Sequence, residues 1–313
     1  MRLFSAIFLA LLPVFGFGQH GGRLAFEKFP TIKKTTLLVV LPEGDDAYKT
    51  AILPAIQEHW TLMPTEVVSV TEMADFSRNE QFSMLIIDNS ERIRHTVDGD
   101  DVIRRNHIAL YHCNRGEYLK AYGGKEAVTQ WAFEDVTNTA SYEYKLPGLI
   151  QAMHNYLSFL DTAKATEDSH NKKLEVFRNY QADQLKEMTL LLNAEDLPEN
   201  LNFASVQSTY PYPIESVGPS EIQEAIESKD ATKAFLHFGP QYEDIFVIGT
   251  GDGTIFYHAR PTERLQLRTQ DFREMKEIID SPPVPQATVS ERLDKFGKNL
   301  QGKFKRKKKK GSE

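Results

Sequence analysis

Thr35-Thr36-Leu37-Leu38-Val39-Val40-Leu41 is a continuous β-branched and apolar run that suits a strand buried on both faces of a sheet. Pro42, Glu43 and Gly44 break it, and Asp45-Asp46 offer carboxylates to the start of a helix. Tyr48, Ile52, Ile56 and Trp60 follow at a spacing of four, one face of that helix, with Pro54 inside it predicting a kink or two pieces. A strand over Glu66–Val70, a short helix from Thr71 to about Arg78 and a strand over Ser83–Asp88 complete an α/β unit.

The same rhythm recurs from Met188. Met188-Thr189-Leu190-Leu191-Leu192 opens it, a helical stretch near Phe203–Tyr210 leads to a strand over Pro213–Val217, and Lys233–Phe238 closes it. Between them Pro219-Ser220-Glu221-Ile222-Gln223 starts a helix, with Ser220 and Gln223 at capping-box spacing. Leu37 to Met84 spans 47 residues and Leu190 to Phe235 spans 45, although few identities match. The spacing suggests a duplication, yet any two α/β domains share this rhythm. The expected fold is therefore α/β: two tandem three-layer domains with mixed, mostly parallel sheets, at 35–161 and 174–280, joined by a charged linker at 162–173.

Glu91–Asn106 is polar and irregular, and Asp98-Gly99-Asp100-Asp101 within it is an acidic turn lacking the ligand spacing of a calcium loop. His107–Cys113 is a strand, paired with Glu117–Tyr122 around Asn114-Arg115-Gly116 and ended by Gly123-Gly124. Leu146, Leu149, Ile150, Met153, Leu157 and Leu160 form the most regular helical stripe, with His154 beside it. Leu174, Phe177, Gln181 and Leu185 line a further helix. Asp244–Ile248 and Thr254–His258 flank a glycine-rich stretch that reads as a hairpin turn, because it joins strand to strand and no Gly-Lys-Ser/Thr follows. Phe272, Met275 and Ile279 mark a last helix, ended by Ser281-Pro282-Pro283-Val284-Pro285.

The ends carry the signals that bear on location. Arg2 followed by the apolar run Leu3–Phe17, with Gly16 and Gly18 at small-residue positions, reads as a signal peptide cut between Gly18 and Gln19. An uncleaved anchor is the rival, but the run is shorter than the ~20 residues of a membrane span. Residues 19–34 form an extension before the first domain, and 281–313 a Pro-rich linker and disordered basic tail. Lys303, Lys305, Arg306, Lys307, Lys308, Lys309 and Lys310 place seven positive charges in eight positions of a chain whose net charge is −7. Without the leader's Arg2 the chain stands at −8, and setting the seven basic tail residues and Glu313 aside leaves the body near −14. Like charges so close repel and stay extended, and they attract polyanions. In an exported, periplasmic or secreted protein, the matching partners are an anionic membrane surface or envelope polysaccharide, with nucleic acid not expected. A tail that only solubilises, or folds back on the acidic body, is the alternative.

Chemistry is less legible. Cys113 is the sole cysteine, so no internal disulfide forms, and it reads as a core thiol since neighbouring His112 points to the opposite strand face. There is no Gly-x-Ser-x-Gly elbow, no His-Glu-x-x-His and no paired-cysteine metal site. Glu58-His59, His107 with His112, and Glu134-Asp135 are too ordinary to identify a site, so no catalytic, cofactor or metal residue is assigned. The strand–helix order of the first half resembles the thioredoxin-like topology, but Glu43-Gly44-Asp45-Asp46 stands where its Cys-x-x-Cys would sit, so the resemblance implies no redox chemistry. The expectation is a non-enzymatic binding or interaction protein of the bacterial cell envelope, needing no cofactor. Its ligand would meet loops at the carboxyl ends of the strands or the groove between domains. The alternatives are a hydrolase-type enzyme with a site in that groove and a structural component of an envelope assembly.

Overall fold

The computed structural model describes residues 29–96, 99–113, 129–133, 142–162, 177–198, 201–239, 244–259 and 267–283. Glu117–Tyr122, Gly123-Gly124, Glu134-Asp135, the leader with its Gly18–Gln19 junction, and the tail Lys303–Lys310 lie outside the described residues.

In the first half β1 (Thr36–Leu41), α1 (Asp46–His59), β2 (Thr65–Ser69), α2 (Val70–Phe76), β3 (Phe82–Thr96), β4 (Gly99–His112) and β5 (Thr129–Phe133) build a sheet of order β2-β1-β3-β4-β5, and α3 (Leu146–Thr162) follows. In the second half β6 (Thr189–Asn193), α4 (Phe203–Thr209), β7 (Ile214–Val217), α5 (Pro219–Glu227), β8 (Lys233–Gly239), β9 (Asp244–Gly249) and β10 (Ile255–Ala259) build a sheet of order β10-β9-β8-β6-β7, and α6 (Thr269–Asp280) follows. Written from the second strand of each half, the two orders are the same. Each first strand is central and parallel to its neighbours on both sides: Leu37 stands opposite Thr65 and Ser83, and Leu190 opposite Ile214 and Ala234. An antiparallel pair then continues each sheet, so only β4 and β9 run against the rest.

The halves share one core. On β1, Leu37 and Val39 face one way and Leu38 and Val40 the other, as the two-residue pleat requires. Leu37, Val39, Leu85, Ile108 and Leu110 of the first sheet join Leu191, Phe235, Phe246 and Ile248 of the second in one apolar cluster filled by α1, α3 and α5. The outer face of the first sheet is covered by α2 through Met73 and Phe76, and that of the second by α4, α6 and the 3-10 turn Ala182–Lys186. Each sheet thus lies between helices, but the middle helical layer belongs to both.

That layer depends on α3. All six residues of its expected stripe are buried, and at roughly 1.5–3 kcal/mol of gross transfer free energy per large apolar side chain the stripe is a main source of cohesion. The turn Gly249–Gly253 rests on it: Gly253 has φ +67° and a Cβ there would meet Gln151 and Ala152 at 2.8–2.9 Å, while Asn155 Nδ2 donates to the Asp252 carbonyl at 2.7 Å.

Four local expectations are corrected. Glu91–Asn106 is not irregular. β3 and β4 pair without interruption from Ser83 opposite His112 to Thr96 opposite Gly99, a register that places Glu91 at Arg104, Ile93 at Val102 and Arg94 at Asp101, residue types an antiparallel ladder accepts. Of the two outcomes expected at Pro54, a kink or two pieces, the second is excluded: the helix runs as one element through it. The helix expected to carry Leu185 stops after Asn179, and Leu185 is buried from the 3-10 turn instead. Ser220 caps nothing at its own helix start: Gly218 is the N-cap with Pro219 as first helical residue, and the Ser220 hydroxyl donates to Glu221. The reciprocal capping box belongs to Ser69 and Glu72 at α2.

Candidate functional site

The carboxyl ends of the central strands β1 and β6 are where chain reversals leave backbone groups and polar side chains together. After β1, Gly44 takes φ +74° and Asp45 caps α1, its Oδ1 accepting from the Tyr48 amide at 2.9 Å. After β6, Asn193 caps the 3-10 turn Ala194–Asp196, its Oδ1 accepting from the Glu195 amide at 3.1 Å. One short segment serves both ends. Tyr142-Glu143-Tyr144-Lys145, entering α3 through the 3-10 turn Glu143–Lys145, packs against both α1 and α5.

At the β6 end the segment supplies a cation. Lys145 is buried and its ammonium pairs with the Asp196 carboxylate. The Lys145 Nζ also lies 5.1 Å from the centre of the Tyr144 ring, within cation–π reach. Asn193 Nδ2 donates to Tyr144 Oη at 2.9 Å and to Asp196 Oδ1 at 3.0 Å, which holds the cage in place. Burial alone would pull the Lys145 ammonium down, but Asp196 and Tyr144 outweigh it and the group is held above the ordinary lysine value.

At the β1 end the same segment supplies a carboxylate and a phenol, and no cation. Asp45 lies within electrostatic reach of Tyr48, Tyr142 and Glu143, and Tyr142 also of Tyr48 and Glu143. Burial, then Tyr142 and Asp45, push the Tyr48 phenol far up, so it stays neutral. Burial, then Asp45, push the Glu143 carboxyl up. Tyr48 Oη and Glu143 Oε1 are buried without a hydrogen-bond partner. No basic side chain among the described residues pairs with Asp45 or Glu143. A Cβ placed on Gly44 would meet nothing within 4 Å, so the loop beside Asp45 has open space on one side.

A third polar cluster lies where the chain enters the second half. His258 Nε2 and Asp244 Oδ1 are 2.8 Å apart, and Arg178 Nη1 is 3.0 Å from His258 Nδ1. A guanidinium can only donate, so Nδ1 accepts and the proton resides on Nε2, donated to Asp244. The Asn179 side chain pairs with the backbone of His258 in both directions, at 2.8 and 3.3 Å, and the imidazole stacks on Phe246 at 4.3 Å. The nitrogen that a general base would turn toward a nucleophile is engaged by Arg178, so this cluster clamps β9 and β10 to the entering chain.

The residues singled out from sequence fall elsewhere. Cys113 is buried, its thiol pushed up to about 12 by burial, as a core residue should be. His112 Nε2 stands 3.2 Å from the Glu80 carbonyl. His154 Nε2 is 3.1 Å from Thr61 Oγ1, and burial lowers both His154 and His59. Glu58 turns to Lys229 at 2.5 Å, an ion pair between the halves. Among the described residues no three His, Cys, Asp or Glu side chains gather as a metal site, and no helix is long and apolar enough to cross a membrane. Sequence reading missed Glu143, Lys145, Asn193 and Asp196, which carry no motif; Asp45 was legible as a helix start, and Tyr48 only as core. Compared with known proteins, the chain matches no family model, no curated protein and no solved structure.

Proposed function

We propose that the chain is a duplicated α/β binding protein, exported to the bacterial cell envelope, that takes its ligand at the carboxyl end of β1. The observation that carries this reading is the pair of buried polar atoms there, Tyr48 Oη and Glu143 Oε1, which the protein leaves unsatisfied beside an open loop. Unmet buried polar groups cost about 1–3 kcal/mol each, so a fold retains them where something else meets them. The matching strand orders of the two sheets support the duplication. The competing hydrolase reading would route a proton through the Asp244–His258 pair, whose second nitrogen faces Arg178.

Export rests on the apolar leader ending at Gly18, and envelope contact on Lys303, Lys305, Arg306 and Lys307–Lys310, which suit anionic lipid headgroups or acidic polysaccharide. Two measurements test the proposal. Deleting Lys303–Lys310 should abolish co-sedimentation with phosphatidylglycerol vesicles at low salt; unchanged co-sedimentation removes the tail as an anchor. Hydrogen exchange on the full chain, against separate pools of amines, carboxylic acids and sugars, should show one pool protecting 43–48 and 142–145. Protection by none of them removes the site.

A further inference from the structure

We infer that Arg178 and His258 form a proton-operated latch on the chain entering the second half, closed while His258 is neutral and released when its ring takes a second proton. The latch goes beyond the binding site proposed above and stands without it. Phe177-Arg178-Asn179 is a strap with a foot in each half. Phe177 stacks on Phe159 of α3 at 4.3 Å, while Arg178 and Asn179 bond to His258 of β10, an edge strand of the second sheet. The Asn179 contact does not titrate: its side-chain oxygen accepts from the His258 backbone N–H at 2.8 Å, and its side-chain nitrogen donates to the His258 carbonyl at 3.3 Å. The Arg178 contact holds in one charge state of the ring only.

Two observations fix that state independently. A guanidinium has donors alone, so the Nδ1 that Arg178 Nη1 meets at 3.0 Å presents its lone pair. Asp244 is fully buried, and a buried carboxylate needs a donor, which is the Nε2–H of His258 at 2.8 Å. A second proton must therefore sit on Nδ1, where it sets donor against donor and cation against cation. Asp244 does not resist the change, since its bond to Nε2 persists and becomes charge-assisted. The loss falls on the Arg178 side and weakens the strap's hold on β10. Histidine is the side chain whose ordinary charge change lies between pH 5 and pH 8. Among the described residues, further titratable groups on this face are His237 of β8, its ring 6.4 Å from that of Phe246, and Tyr156 of α3, within electrostatic reach of Arg178. On the other face of β10, α6 brings Asp271 and Glu274 near Tyr257, and the 3-10 turn Ala182–Lys186 carries Asp183 and Lys186.

The experiment is amide hydrogen exchange on the full chain at pH 7.5 and pH 5.0, corrected for intrinsic rates and read at the amide of residue 258, which Asn179 accepts. Protection there should fall at least fivefold at pH 5.0 in the parent chain. His258→Gln, whose side chain takes no proton in this range, should show no fall. Arg178→Gln leaves the imidazole in place and can turn either its nitrogen or its oxygen toward Nδ1, so it should reduce the fall to less than twofold. His154→Gln, altered where α1 and α3 pack, should keep the full fall. Nitrogen-15 spectra of the imidazoles at pH 7.5 should place the His258 proton on Nε2. Equal protection at both pH values in the parent overturns the inference, as does a fall that persists in His258→Gln or vanishes in His154→Gln. A proton on Nδ1 at pH 7.5 overturns it as well.

Discussion

At the end of β6 a lysine ammonium, a carboxylate, a tyrosine and an asparagine satisfy one another; at the end of β1 Tyr48 Oη and Glu143 Oε1 are each buried without a hydrogen-bond partner, and among the described residues no lysine pairs with Asp45 or Glu143. The two places occupy the same position in sheets of the same strand order, and one four-residue segment supplies groups to both. The difference is therefore one of side-chain chemistry on a common backbone plan. A closed cage ties the halves together where they meet, whereas the β1 end leaves Tyr48 Oη and Glu143 Oε1 without a hydrogen-bond partner.

The comparison can be broken most forcefully at Lys145. Lys145→Met leaves Asp196 without its cation in a mostly buried place and should cost about 3 kcal/mol in urea-induced unfolding. Lys145→Met with Asp196→Leu should cost less than Lys145→Met alone, since no charge is then stranded. Equal losses would mean that packing, not pairing, holds this end.

A smaller pair of substitutions sharpens the contrast. Tyr144→Phe removes the acceptor of an Asn193 hydrogen bond and should cost about 1 kcal/mol. Tyr48→Phe removes a hydroxyl without a partner, so without ligand it should leave stability unchanged or raise it by up to about 1 kcal/mol. Matching losses in the two variants would show that Tyr48 is satisfied in solution and the two ends are alike.

The smallest expected effect is with pH. His59 and His154 lie where α1 and α3 pack in the first half, both lowered mainly by burial, with Glu58 opposing this at His59. A histidine whose folded value lies below its unfolded value of about 6.5 takes up protons more readily when unfolded. Its stabilising contribution is complete above that value and is lost as pH falls from there toward the folded value. The unfolding midpoint should drop between pH 7 and pH 5, and His154→Gln should flatten that drop.

Much of the fold was legible because it depends on periodicity. The stripe Leu146–Leu160, the runs at Leu37 and Leu190 and the hairpin around Asp252-Gly253 each carry a local pattern that only one backbone geometry can bury. The arm Glu91–Asn106 was not legible, since its charges match across the register and not along the chain. The Ser220 box failed because Pro219 prefers the first helical position, which moves the cap to Gly218.

Amino-acid order alone determined the alternation of strands and helices, the buried single thiol and the separation of a basic tail from an acidic body, because those follow from neighbours and composition. Tertiary structure decided that the two halves share one helical layer, and that residues 142–145 sit between the ends of β1 and β6. Lys145 and Asp196 are far apart in the chain, and an ion pair needs its partners within a few ångströms. Only the packing of both sheets on α1, α3 and α5 could bring them within that reach.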